Sequence, residues 1–95
     1  MPWTVWLQDE RGEPVISQYA VILFATVPDS KEFRLLRYLD PYGDTYFNRF
    51  QMDDFLADWD KLNPLGDQRQ QWNLVRDMAA RCHDEPHNYV RFIGD

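Results

Sequence analysis

From Trp3 to Gln8 the chain alternates, with Trp3, Val5 and Leu7 on one side and Thr4, Trp6 and Gln8 on the other, and this period of two predicts a strand. Asp9 to Pro14 is a charged connector holding Gly12 and Pro14, and apolar character resumes at Val15 and Ile16, as in a hairpin. Between Tyr19 and Val27 both alternating sets are apolar, Tyr19, Val21, Leu23 and Ala25 against Ala20, Ile22 and Phe24. A strand apolar on both sides is expected at the centre of a sheet. Phe33 to Asp40 fits either a strand or a short helix opened by Asp29 and Glu32, and the next residues along the chain favour the strand. Asp40-Pro41-Tyr42-Gly43-Asp44 places Pro and Gly as a tight turn requires, and Thr45, Tyr46 and Phe47 then favour β structure.

The period changes after Phe47. Asn48 has the character of a helix N-cap, Gln51 stands three residues on as its reciprocal partner, and Phe47 and Met52 are spaced for a hydrophobic staple. Met52, Phe55, Leu56, Trp59 and Leu62 then recur at threes and fours, and Asn63-Pro64 supplies a stop. A second helix is predicted to begin near Asp67, with Gln70 three residues on from it and an apolar stripe of Trp72, Val75, Met78, Ala79 and Cys82, ended by Pro86. Asn88 to Ile93 returns to β character through Tyr89, Val90, Phe92 and Ile93. The expected architecture is a single α+β domain over residues 1–95, with an antiparallel-rich sheet of four to five strands and two helices packed on one face, in the order ββββααβ.

Charge narrows the partners. The chain has a formal net charge of -6, and residues 50–67 alone hold five Asp against one Lys. Nucleic acid is bound chiefly by Lys and Arg neutralising phosphates, so this balance argues against it and favours a basic protein. Cys82 is the sole cysteine and excludes an internal disulfide, which suits a reducing compartment. No Lys/Arg-led apolar stretch opens the chain, no run reaches the roughly 18 apolar residues of a spanning helix, and no lipidation box ends it. The expected setting is cytoplasmic, away from membranes.

Catalytic signatures are sparse. Gly12, Gly43, Gly66 and Gly94 are isolated, so no phosphate-cradling loop is expected and no cofactor with it. Cys82, His83, Asp84, Glu85 and His87 form the densest group of potential metal donors, but their spacing matches no zinc finger. Cys82 also lies on the apolar stripe, where a thiol packs as a small hydrophobe. Adjacent helical residues point about 100° apart, so Cys82 and His83 do not form a catalytic pair. Neither a metal site nor an active site is expected.

A binding surface is the alternative. Asp54 and Asp58 are spaced four apart and Asp53 and Asp60 seven apart, and together they are expected to form a wet anionic side of the first helix, opposite its apolar stripe. Like charges four apart cost a few tenths of a kcal/mol, which hints at a use. Tyr42 and Tyr46 flank Asp44, an arrangement common in interfaces, although both rings would also fit against the sheet.

Two strings are more specific than composition. One is Asp40-Pro41-Tyr42-Gly43-Asp44-Thr45 continuing through Phe47-Asn48-Arg49 to Gln51-Met52, and the other is Tyr89 to Asp95, Y-V-R-F-I-G-D. In these the chain resembles small acidic bacterial proteins of unassigned chemistry that are themselves similar to toxin-neutralising immunity proteins. The resemblance implies a non-catalytic inhibitor whose acidic face occupies the basic groove of a toxin or nuclease-like partner. The contact residues it implies are Asp53, Asp54, Asp58 and Asp60, with Tyr42, Asp44, Asp84 and Glu85 nearby. The other expectation is a scaffold or regulatory subunit that binds through a strand edge or as a homodimer.

Overall fold

The computed structural model describes residues 2–24, 28–62 and 66–94. Four strands, β1 (Trp3–Asp9), β2 (Ala20–Ile22), β3 (Asp44–Asn48) and β4 (Asn88–Ile93), form one antiparallel sheet in the order β2-β1-β4-β3. The helices are α1 (Met52–Asp60) and α2 (Arg69–Asp84), and the sequence of elements is three strands, two helices and a closing strand. The class is α+β, as the alternation of periods predicts, with one strand fewer before the helices.

The missing strand is Phe33 to Asp40, which holds a short 3-10 turn at Leu36–Tyr38. The cause is a single carboxylate. Asp58 accepts hydrogen bonds from the successive N–H groups of Arg34, Leu35 and Leu36 at 3.1, 2.8 and 3.2 Å, and three consecutive donors converge on one acceptor only if the chain curls. An extended strand turns alternate N–H groups to opposite sides.

The segment from Tyr19 is corrected twice. Its strand is confined to Ala20–Ile22 among the described residues, with Ala25 to Val27 outside them, and it lies at an edge rather than the centre. Ala20 and Ile22 face the helices and are fully buried, whereas Tyr19, Val21 and Leu23 are exposed on the outer face. Its free edge is sealed by α2. The Val21 and Leu23 N–H groups, pointing away from β1, donate to Gln71 Oε1 at 2.9 Å and Gln68 Oε1 at 3.0 Å.

Both helices cover one face of the sheet. Trp3, Val5, Leu7, Phe47, Val90 and Phe92 meet Met52, Phe55, Trp59, Trp72, Val75, Met78 and Cys82 in a continuous buried core. Aromatic rings make up its centre: Phe55 stacks on Trp59 at 5.7 Å, and Trp59 stacks on Trp72 at 4.4 Å. The Trp59 indole N–H donates to the Trp72 carbonyl at 3.1 Å, so the ring's one polar atom is satisfied while buried.

Both helical regions begin where the sequence places them. Asn48 does begin the helical region, its N–H donating to Gln51 Oε1 at 2.9 Å, but the first turn is 3-10 over Arg49–Gln51 before α1 proper. The reciprocal arm is weaker, since Asn48 Oδ1 is buried without a partner of ordinary geometry. The second helix starts at Arg69, near Asp67 as expected, with Gln68 as its cap residue. The expected stop at Asn63-Pro64 lies outside the described residues. Past α2, His87 takes a left-handed φ of 66° and turns the chain into β4.

The segments around residues 40–48 and 88–94 meet in space. β3 pairs with β4, Gly94 N–H donates to the Gly43 carbonyl at 2.8 Å, and a Cβ on Gly94 would stand 2.3 Å from the Asp40 carbonyl oxygen. Glycine is therefore required at residue 94 by the close approach of the 40–41 backbone.

Candidate functional site

The four aspartates of α1 do not share one side. At 3.6 residues per turn, Asp54 and Asp58 point roughly 100° to 160° around the axis from Asp53 and Asp60. Asp58 is the clear correction, being only 1% exposed. Besides the three backbone donors, the Lys61 ammonium stands 3.9 Å from it. A buried carboxylate is tolerated when charge-assisted hydrogen bonds and a counter-charge meet it, and here they do. Asp58 is a structural group and is not accessible to a partner.

Two further carboxylates of α1 have Arg partners within the chain. Asp60 takes a two-pronged contact from Arg76 of α2, Nε to Oδ1 and Nη2 to Oδ2, both 3.0 Å. That pairing raises the Arg76 pKa, chiefly through the hydrogen bond. Asp54 lies 3.5 Å from Arg34, both side chains being at least half exposed.

Asp44 and Glu85 are likewise occupied. Asp44 receives Arg91 Nε at 3.2 Å across the outer face of the sheet, and the Arg91 guanidinium lies over the Tyr46 ring at 5.5 Å. Glu85 accepts Arg81 Nε at 3.0 Å and the Asn88 side-chain amide at 3.0 Å, tying the end of α2 to the start of β4. Tyr42 is 82% exposed and contacts solvent rather than the sheet.

Asp53 and Asp84 are different. Their side chains are 89% and 78% exposed, and each faces the same group, the His83 ring. Nε2 is 3.2 Å from Asp53 Oδ1 and Nδ1 is 3.0 Å from Asp84 Oδ1, so α1 and α2 contribute one carboxylate each to a shared imidazole. The hydrogen bond to Asp84, then the charge of Asp53, raises the His83 pKa from 6.5. Beside them His87 Nδ1 meets Glu10 at 3.4 Å. Above the pKa of His83 the ion-pair partner that Asp53 and Asp84 share is neutral.

Among the described residues no group of three or more His, Cys, Asp or Glu is arranged to hold a metal ion. Cys82, from the same short stretch, is fully buried and its Sγ donates to the Asn88 carbonyl at 3.2 Å. Burial pushes its thiol up to about 11, which suppresses the nucleophilic thiolate. The described helices are all too short or too polar to cross a membrane. An open groove of about 580 Å³ runs between the approach to β2 and α2, lined by Ser17, Gln18, Tyr19, Gln70, Asn73 and Asp77, and holds none of the predicted contact residues.

Sequence inspection weighs His83 only as a metal donor or a catalytic partner of Cys82 and leaves Phe50 aside, although Phe50 is 87% exposed. The four-residue spacing of Tyr42, Tyr46 and Phe50 is the signal that could have found it. Comparison with protein-family models, with curated proteins and with solved structures returned no match.

Proposed function

We propose that the domain is a non-catalytic protein-binding module of the immunity or antitoxin type, which blocks a basic partner with an anionic contact centred on Asp53 and Asp84. The single observation behind it is the contrast in counter-charge. Among the predicted contact carboxylates, Asp44, Asp54, Asp60 and Glu85 each have an arginine, Asp58 is buried, and Asp53 and Asp84 alone are both strongly exposed and matched by nothing stronger than a shared histidine. An arginine or lysine of a partner would displace His83 at little cost, because exposed ion pairs are weak and exchangeable. The groups that most often signal catalysis have structural work instead: Asp58 holds backbone N–H groups and Cys82 is kept protonated in the core.

The test is affinity for the product of the neighbouring gene, measured for the natural protein and for Asp53→Asn with Asp84→Asn. Removing both charges should weaken binding about tenfold or more, whereas Asp54→Asn with Asp60→Asn should change it less than about threefold. Added salt should weaken the natural complex. Protonated His83 neutralises the contact, so affinity should rise as pH is raised through the elevated His83 pKa. Equal effects of the two double substitutions would contradict the assignment.

A further inference from the structure

The two edges of the sheet are treated unequally. On β2 the outward N–H groups of Val21 and Leu23 are taken by Gln71 and Gln68. On β3 no described strand pairs with the outer edge. The pairing fixes which of its backbone groups are free. Gly43 accepts from Gly94 of the last strand's extension, so Gly43, Thr45 and Phe47 turn their N–H and C=O groups to β4, and Asp44, Tyr46 and Asn48 turn theirs outward. Asn48 N–H is capped by Gln51, which leaves Asp44 and Tyr46 as a short open ladder. Tyr42 and Phe50, the two most exposed large hydrophobic side chains described, stand just beyond its two ends.

We propose that this edge is a self-association surface, and that the occupant is a second copy of the chain pairing β3 with β3 about a two-fold axis. The register is set by the symmetry. With Tyr46 opposite itself, Asp44 meets Asn48 of the second copy, and the same two-fold brings the turn carrying Tyr42 in one copy to the end of β3 where the 3-10 turn carrying Phe50 begins in the other. The segments bearing the two most exposed aromatic side chains are thus brought together, twice over. Charge agrees with the pairing in spite of the net -6 per chain. Asp44 is the one charged residue of β3, it is already met by Arg91, and it falls opposite a neutral residue. Arg49, whose guanidinium lies over the Phe50 ring at 5.4 Å, directly follows Asn48 and so comes to the end of the strand near Asp44 of the second copy. Both new pairs of contacts are attractive, and the result is one continuous sheet running through two molecules.

Sedimentation of the purified protein over a concentration series should show a monomer–dimer equilibrium. Tyr46→Pro removes an outward N–H that the fold does not use, as edge strands allow, and should raise the dissociation constant about tenfold or more. Tyr42→Ser with Phe50→Ser should do the same with the far-ultraviolet circular dichroism unchanged, and it decides the matter if the proline variant fails to fold. Trp6→Ser, on the outer face but away from the edge, should leave the equilibrium unaltered. A protein that stays monomeric at millimolar concentration, or a dimer indifferent to Tyr42→Ser with Phe50→Ser, overturns the proposal. Either outcome leaves the Asp53 and Asp84 contact untouched, since that contact lies on the helices.

Discussion

Asp58 and Asp53 have the same side chain on the same helix, and their surroundings give them opposite roles. Asp58 is enclosed with three backbone donors, and removing it strands those N–H groups in a partly or wholly buried setting. Asp58→Ala should therefore lower the unfolding free energy by about 2–4 kcal/mol, seen as a shifted denaturant midpoint at unchanged slope. Asp58→Asn keeps one acceptor oxygen and should lose clearly less. An Asp58→Ala protein as stable as the natural one would show that the 34–36 segment is held by something else. His83 carries the corresponding sign at the surface. Its raised pKa means that the folded state favours the protonated ring, so this small stabilisation is present below the ordinary histidine value and fades as pH rises through the folded pKa.

At the scale of elements, the strands differ in how their edges are closed. Gln68 and Gln71 act as side-chain substitutes for a fifth strand alongside β2. Replacing both with Ala should speed hydrogen exchange at Val21 and Leu23 by a factor of about five each, corresponding to roughly 1 kcal/mol per lost bond. Unchanged exchange at those two amides, with β1 amides as the reference, would show that the glutamines do not protect the edge. The elements themselves were largely legible: strict alternation marked β1, and spacings of three and four marked the apolar stripes of α1 and α2, because each pattern reports burial of one face. What sequence periodicity misreads is Phe33 to Asp40, whose shape is imposed by a carboxylate 22 to 24 residues further on. No local pattern encodes a distant acceptor. Double-sided apolarity in Tyr19 to Leu23 was equally ambiguous, since an exposed apolar face and a buried one have the same spelling. Asp58 did leave a trace: Phe55 and Leu62, three before and four after it, lie on the apolar stripe, so Asp58 borders the core rather than the solvent.

For the whole molecule, the net charge of -6 is not spread as a uniform coat. Arginines 34, 76, 81 and 91 each meet a carboxylate, and the ones they leave to histidines gather where the end of α2, the start of α1 and the β1 turn come together, at Asp53, Asp84 and Glu10. Composition predicted an anionic surface on the first helix, but it could not say which carboxylates the chain neutralises itself. That division depends on tertiary pairs such as Asp60 with Arg76, sixteen residues apart. A short oligo-arginine peptide titrated at low salt, with backbone amide shifts tracked by nuclear magnetic resonance, reads the division directly. The shifts should concentrate at Asp53, His83 and Asp84, with Glu10 and His87 next, and should vanish in Asp53→Asn with Asp84→Asn. Shifts centred instead on Asp54 and Asp60, or scattered evenly over all exposed carboxylates, would contradict the assignment of the anionic contact.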